Sequence, residues 1–195
     1  MKKTIRYTIY LSIMILILLF VNFYKFNIIE FPPDVVVGDN LLKKGDTVTQ
    51  DFEVKGDNLN SIGIKIATYD NVSIKGEIKA TLYDDNNTEI VNKNINLDSI
   101  KDSLFYTLSI PEQKESKGKK YKLCINVLDL GKSDQLSIWS STEYEYKMYL
   151  NDTVQDKSIA IAYKCKRKNY YIYIYELFVA LFIILIESFV KKKER

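Results

Sequence analysis

Apolar residues recur at every second position through the middle of this 195-residue chain and fill both of its ends almost without interruption. Period-two alternation puts successive side chains on opposite faces of an extended backbone, so it predicts half-buried strands. The clearest case is Ile74 to Tyr83, where Ile74, Gly76, Ile78, Ala80 and Leu82 share one face and Lys75, Glu77, Lys79, Thr81 and Tyr83 the other. Ile62, Ile64 and Ile66 repeat the pattern, as do Leu104, Tyr106, Leu108 and Ile110, and then Tyr121, Leu123, Ile125 and Val127. Shorter runs are Leu136 with Ile138, then Tyr144, Tyr146, Met148 and Leu150, then Ile159, Ile161 and Tyr163. Val48, Phe52 and Val54 make an early strand with Gln50 in the inward phase, and Ile90 with Val91 a weaker one. Turn formers separate these runs at Lys55-Gly56-Asp57-Asn58, Asp70-Asn71, Asp84-Asp85-Asn86-Asn87, Lys117-Gly118-Lys119 and Asn151-Asp152. Roughly eight to ten strands, each apolar on one face, must pair those faces. The expectation is a mainly β protein, an antiparallel β-sandwich of jelly-roll type over residues 27–168.

The ends read differently. Residues 7–24 carry no charge, and 18 helical residues reach about 27 Å, the thickness of a hydrocarbon core. Lys2, Lys3 and Arg6 precede them, and Asn22-Phe23-Tyr24-Lys25-Phe26 follows where a cleavage site would carry small residues. This favours an uncleaved signal anchor over a cleaved signal peptide. Residues 170–190 form a second candidate span of about 31 Å, with Tyr170, Tyr171, Tyr173 and Tyr175 as an interfacial belt at its start. Lys191, Lys192, Lys193 and Arg195 follow it. Basic outer ends place the tails, 1–6 and 191–195, in the cytoplasm and the sandwich outside, although Lys164, Lys166, Arg167 and Lys168 sit on the opposite flank. Glu187 is one turn from the cytoplasmic end and Glu176 about 9–10 Å inside the outer one, where each can snorkel or meet a partner helix. Transport is not expected of them.

Charge then narrows the partners. Between Lys25 and Lys168 there are 21 Lys and Arg against 22 Asp and Glu, so the formal +3 of the whole chain comes from the membrane flanks. No basic surface for nucleic acid is implied. With 0 His there is no His-based triad, imidazole acid–base catalyst or His metal site, and 2 Cys cannot make a four-cysteine zinc site. Paired carboxylates can hydrolyse glycosides, but Asp84-Asp85, Glu143 with Glu145, and Asp34 with Asp39 fall in turns or polar phases where acids are solvated. No nucleophile elbow, metalloprotease or phosphate-loop motif occurs. The expectation is no enzyme, no cofactor and no resident metal, with Asp34, Asp39, Asp84 and Asp85 the only weak set for a structural calcium. Cys124 lies in an outward phase and Cys165 near the last strand's end, and sequence leaves open whether they pair.

Binding is the better-supported chemistry. Most aromatics, Tyr106, Tyr121, Tyr144 and Tyr146 among them, lie in the inward phase and belong to the core. Tyr83, Phe105, Trp139 and Tyr149 lie out of phase. An aromatic face on the polar side of a sheet can stack on the C–H face of a sugar, and Tyr and Trp add a polar handle. The same four positions also suit cross-strand aromatic pairing or cover by a loop.

Gln50-x-Phe52, Leu59-x-x-Ile62-x-Ile64-x-Ile66-Ala67-Thr68-Tyr69, Gly76-x-Ile78, Leu82-Tyr83-Asp84, Gly118-Lys119-x-Tyr121-x-Leu123-x-Ile125 and Ile138-Trp139 follow one another in order. Over about Val48 to Trp139 this resembles the extracytoplasmic jelly-roll segment that follows the first membrane helix in bacterial multi-pass proteins of surface-polysaccharide synthesis, glycosyltransferase-like ones included. The resemblance implies an envelope role. It does not carry transferase activity, because catalytic residues of those proteins belong to further spans and this chain has one span after the sandwich. Two functional readings follow. One is a non-enzymatic, two-pass protein of the cell membrane whose sandwich binds a glycan or a membrane-protein partner. The other is a structural accessory subunit that packs against a larger multi-pass membrane enzyme through its two spans, without a ligand.

Overall fold

The computed structural model describes residues 26–30, 35–36, 41–71, 73–142, 146–167, 174 and 177–180. Both expected spans, 7–24 and 170–190, lie outside the described residues except for Ile174 and residues 177–180, which are helical. Among the described residues no helix is long and apolar enough to cross a membrane. The chain divides into two compact units, Asn27–Lys166 and the two ends Met1–Phe26 with Arg167–Arg195. The sheets are built on the first.

The strands are β1 (Phe26–Glu30), β2 (Val35–Val36), β3 (Thr47–Glu53), β4 (Leu59–Ala67), β5 (Gly76–Tyr83), β6 (Glu89–Asn96), β7 (Phe105–Gln113), β8 (Lys120–Leu130), β9 (Ser137–Ile138), β10 (Ser140–Ser141), β11 (Met148–Leu150), β12 (Thr153–Val154), β13 (Ser158–Ile159) and β14 (Ile161–Arg167). One sheet runs β12-β11-β3-β8-β5-β6, a second runs β1-β14-β4-β7 with β9 also on β4, and a small third runs β13-β10-β2. The protein is mainly β, antiparallel and sandwich-like.

Alternation explains the core. On the six-stranded sheet Val48, Gln50 and Phe52 of β3, Ile78, Ala80 and Leu82 of β5, and Tyr121, Leu123, Ile125 and Val127 of β8 are all buried. On the other main sheet Ile62, Ile64 and Ile66 of β4, Leu108 and Ile110 of β7, and Ile161, Tyr163 and Cys165 of β14 are buried too. All of these except Gln50 belong to one apolar cluster. The Phe52 ring centroid lies 6.0 Å from that of Tyr121 on its own sheet and 6.4 Å from that of Tyr163 on the other. Each fully buried Leu or Ile contributes about 1.5–3 kcal/mol relative to exposure, so the shared interior dominates the stability of the fold. Polar groups in it are partly held: the Tyr163 hydroxyl accepts the Lys55 N–H at 3.0 Å and Gln50 Oε1 accepts the Ile159 N–H, while Gln50 Nε2 is buried without a hydrogen-bond partner.

The turn signals act as expected. Asn151 and Asp152 take φ of 49° and 63°, the left-handed pair of a two-residue hairpin between β11 and β12. Asp84 Oδ1 accepts the N–H groups of Asn86 and Thr88 and closes the β5–β6 hairpin. Asp102 ties the end of β4 to the start of β7. Burial raises its pKa, but hydrogen bonds from the Ser103 hydroxyl, the Thr68 N–H and hydroxyl, and the Tyr69 N–H outweigh that and hold the carboxyl below its usual range.

Three details depart from simple alternation. Leu104, expected inside, is 56% exposed, because Ser103 turns through φ 57° and β7 begins only at Phe105. Tyr146 is also not a core residue: its hydroxyl donates to Glu53 at 3.3 Å and the Lys120 ammonium lies 5.6 Å from its ring, both on the solvent side of the sheet. Tyr144 lies outside the described residues. Thr81, in the outward phase, is nevertheless buried, mid-row between Cys124 and Asn92. Cys124 faces outward from β8 and Cys165 inward from β14, and no disulfide joins them. Burial pushes the Cys124 thiol pKa up.

Candidate functional site

The outer face of the β4 sheet is built from three rows. On β4 the outward residues are Ser61, Gly63 and Lys65, and antiparallel register sets Ser109, Thr107 and Phe105 of β7 beside them. On the other side β14 places Lys164 beside Ser61 and Ala162 beside Gly63. Small side chains in the two lower rows leave a groove of about 350 Å³, with Phe105 at one end and Lys164 and Asn60 at the other. Gly63 suits this shape: a Cβ there would lie a tight 3.2 Å from Phe105 Cδ1 and 3.3 Å from Ala162 Cβ, so the Phe105 ring lies over a position with no side chain. The groove thus combines one aromatic wall with the hydroxyls of Ser61, Thr107 and Ser109, an amide and an ammonium.

Trp139 completes the upper row. Its N–H donates to the Lys65 carbonyl at 2.9 Å and its own carbonyl accepts the Ala160 N–H at 2.8 Å. Here β9 and β10 wedge between β4 and the start of the final strand: Ile66 pairs with Ile138 where Ile64 had paired with Ile161. The Lys65 ammonium sits 3.5 Å from the indole centroid, a cation–π contact that takes one face of the ring. The indole Nε1 is buried without a hydrogen-bond partner.

The four aromatic positions expected to bind therefore separate into two places. Phe105 and Trp139 share one outer face, either side of Lys65. Tyr83 and Tyr149 are on the outer face of the other sheet, Tyr83 beside Lys122 and Tyr149, 42% exposed, beside Thr49. β3 and β8 lie between their strands, so three strand spacings, about 14 Å, separate β5 from β11. Sequence reasoning missed Asn60, Ser61, Gly63, Thr107, Ser109, Ala162 and Lys164. Their signal was there as small residues in the outward phase, Ser61-x-Gly63 and Thr107-x-Ser109, where polar strands usually carry long side chains.

No protein-family model and no curated protein matches this chain. The chemistry of the face must be read from its own residues. Among the described residues no three His, Cys, Asp or Glu side chains come together to hold a metal ion. Asp84 and Asp85 are engaged with their own turn, Asp85 through the Asn86 amide at 3.2 Å. Asp34, Asp39, Glu143 and Glu145 lie outside the described residues.

Proposed function

We propose that this chain is a non-enzymatic, two-pass envelope membrane protein whose extracytoplasmic jelly-roll sandwich binds a glycan in surface-polysaccharide assembly, in the groove on the outer face of the β4 sheet. The observation that supports this reading is the composition of that groove. An aromatic ring offers a stacking face for sugar C–H groups, and three hydroxyls and an amide sit within one span to exchange hydrogen bonds with sugar hydroxyls. The neighbouring Trp139 is the only Trp in the chain, so its emission reports this face directly.

The test uses the full chain in a detergent without a sugar headgroup. Titration with envelope polysaccharides is expected to shift the indole emission. Phe105→Ala should weaken that binding by about 1–2 kcal/mol with the fold retained, and Thr107→Tyr, which fills the groove, should abolish it. Emission that no polysaccharide changes, together with co-purification of a multi-pass protein through the spans, would favour the accessory-subunit reading instead.

The topology has its own test. In intact cells an impermeant maleimide should label a cysteine introduced at Val154, which is 55% exposed on β12, and leave cysteines introduced into residues 1–6 or 191–195 unlabelled. Labelling of either tail would overturn the two-pass arrangement.

A further inference from the structure

We propose that the groove is selective for an acidic glycan, with Lys164 as the residue that reads the negative charge. The inference rests on the glycan reading above and adds the sign of the ligand. The described side chains in the three rows of this face include two charges, Lys65 and Lys164, and no Asp or Glu. That is unusual for a domain with as many acids as bases. The opposite outer face mixes Asp51 and Glu53 with Lys79, Lys120 and Lys122. Elsewhere Lys44 pairs with Asp129 at 2.8 Å and Lys147 with Asp156. Lys65 and Lys164 are ion-paired to no carboxylate among the described residues.

The two lysines also differ in a useful way. The indole of Trp139 holds the Lys65 ammonium in place, which fixes a positive charge beside Phe105. Lys164 lines the groove at its far end. Four residue steps along β4, from Ser61 to Lys65, separate the two rows, about 13 Å of strand, the length of a short oligosaccharide rather than of a single anion. The row between them, Ala162, Gly63 and Thr107, is uncharged, and the Phe105 ring lies over Gly63. Such a surface suits a chain that carries hydroxyls throughout and a carboxylate at intervals, because a neutral hydroxyl offers each ammonium a hydrogen bond alone, whereas a carboxylate adds the attraction of an opposite charge.

The experiment compares polygalacturonate with its methyl ester, the same backbone without the charge, on the full chain in a detergent without a sugar headgroup. The acid is expected to bind about tenfold more tightly than the ester, the scale of one hydrogen bond to a charged group. Lys164→Gln should remove most of that preference, weakening the acid about five- to tenfold and the ester hardly at all, while Lys164→Arg keeps it. Lys120→Gln, on the opposite outer face, should cost the acid less than about twofold. Equal binding of acid and ester would overturn the charge selectivity and leave the glycan reading standing. Binding of neither, with Phe105→Ala also silent, would remove both. Equal losses from Lys120→Gln and Lys164→Gln would overturn the assignment to Lys164, and tighter binding to phosphatidylglycerol vesicles than to polygalacturonate would transfer the face to lipid.

Discussion

Ile78→Asp should unfold the sandwich, whereas Lys79→Asp, one residue on, should leave it close to wild type. Ile78 is 1% exposed and points into the core from β5, with Ile95 of β6 and Val127 of β8 beside it on the same face. No cation faces that position among its row neighbours, so a carboxylate there has no partner. Burying it unpaired costs on the order of 4–5 kcal/mol or more, a large part of the 5–15 kcal/mol that typically separates folded from unfolded domains. Lys79 lies between Asn94 and Asn126 on the outer face, and its exchange for Asp should cost about 1 kcal/mol or less. Thermal unfolding of the full chain followed by Trp139 emission measures both. Equal shifts would refute the assignment of faces on which the core and the groove depend.

The second large effect is expected at Gly76. This residue opens β5 with φ of +138°, a region that side chains rarely enter, and its neighbour across the ladder is Leu130. A Cβ there would meet the Asp129 carbonyl oxygen at 2.3 Å and its carbon at 2.8 Å. Neither is the end of a flexible side chain, so the clash can be relieved only by moving β8, a central strand. Gly76→Val should therefore cost on the order of 3–5 kcal/mol, through strain and loss of the β5–β8 register together. Gly45 is the control. Its φ is +91° but nothing lies within 4 Å of a Cβ there, so Gly45→Ala should cost only the conformational term, about 1–2 kcal/mol. If the two substitutions lowered the melting temperature alike, close backbone approach would not be the reason for Gly76.

How much of this was legible in the sequence follows from the range of each interaction. Alternation is local, so the inward faces of β3, β4, β5 and β8 could be read directly, and Gln50 fell in the right phase although polar. Leu104 and Tyr146 misled because alternation cannot tell where a strand starts: a left-handed Ser103 and a strand that begins only at Met148 set those limits. β9, β10, β12 and β13 have two residues each, too few for any period. The groove was least legible. Phase places Ser61, Thr107 and Ala162 on outer faces, but only the pairing of β4 with β7 and β14, strands far apart in the chain, makes them neighbours. The same holds for Trp139, whose outward phase was visible while the Lys65 ammonium over its ring was not.

The position of β4 has a consequence in time. The four adjacent strands β3, β8, β5 and β6 all lie between Thr47 and Leu130, so that part of one sheet is complete as soon as β8 exists. β4 receives β7 on one edge over the same stretch, but its other edge waits for β9 and β14, the last of which begins at Ile161. A chain made from its N-terminus therefore passes through a stage in which a strand carrying Ile62, Ile64 and Ile66 has one ladder of unpaired N–H and C=O groups. Such an edge is a template for any other extended chain. The interval between the appearance of Ala67 and that of Arg167 is the window in which this sequence is most exposed to aggregation, and a break in synthesis before Ile161 would leave the edge open for good.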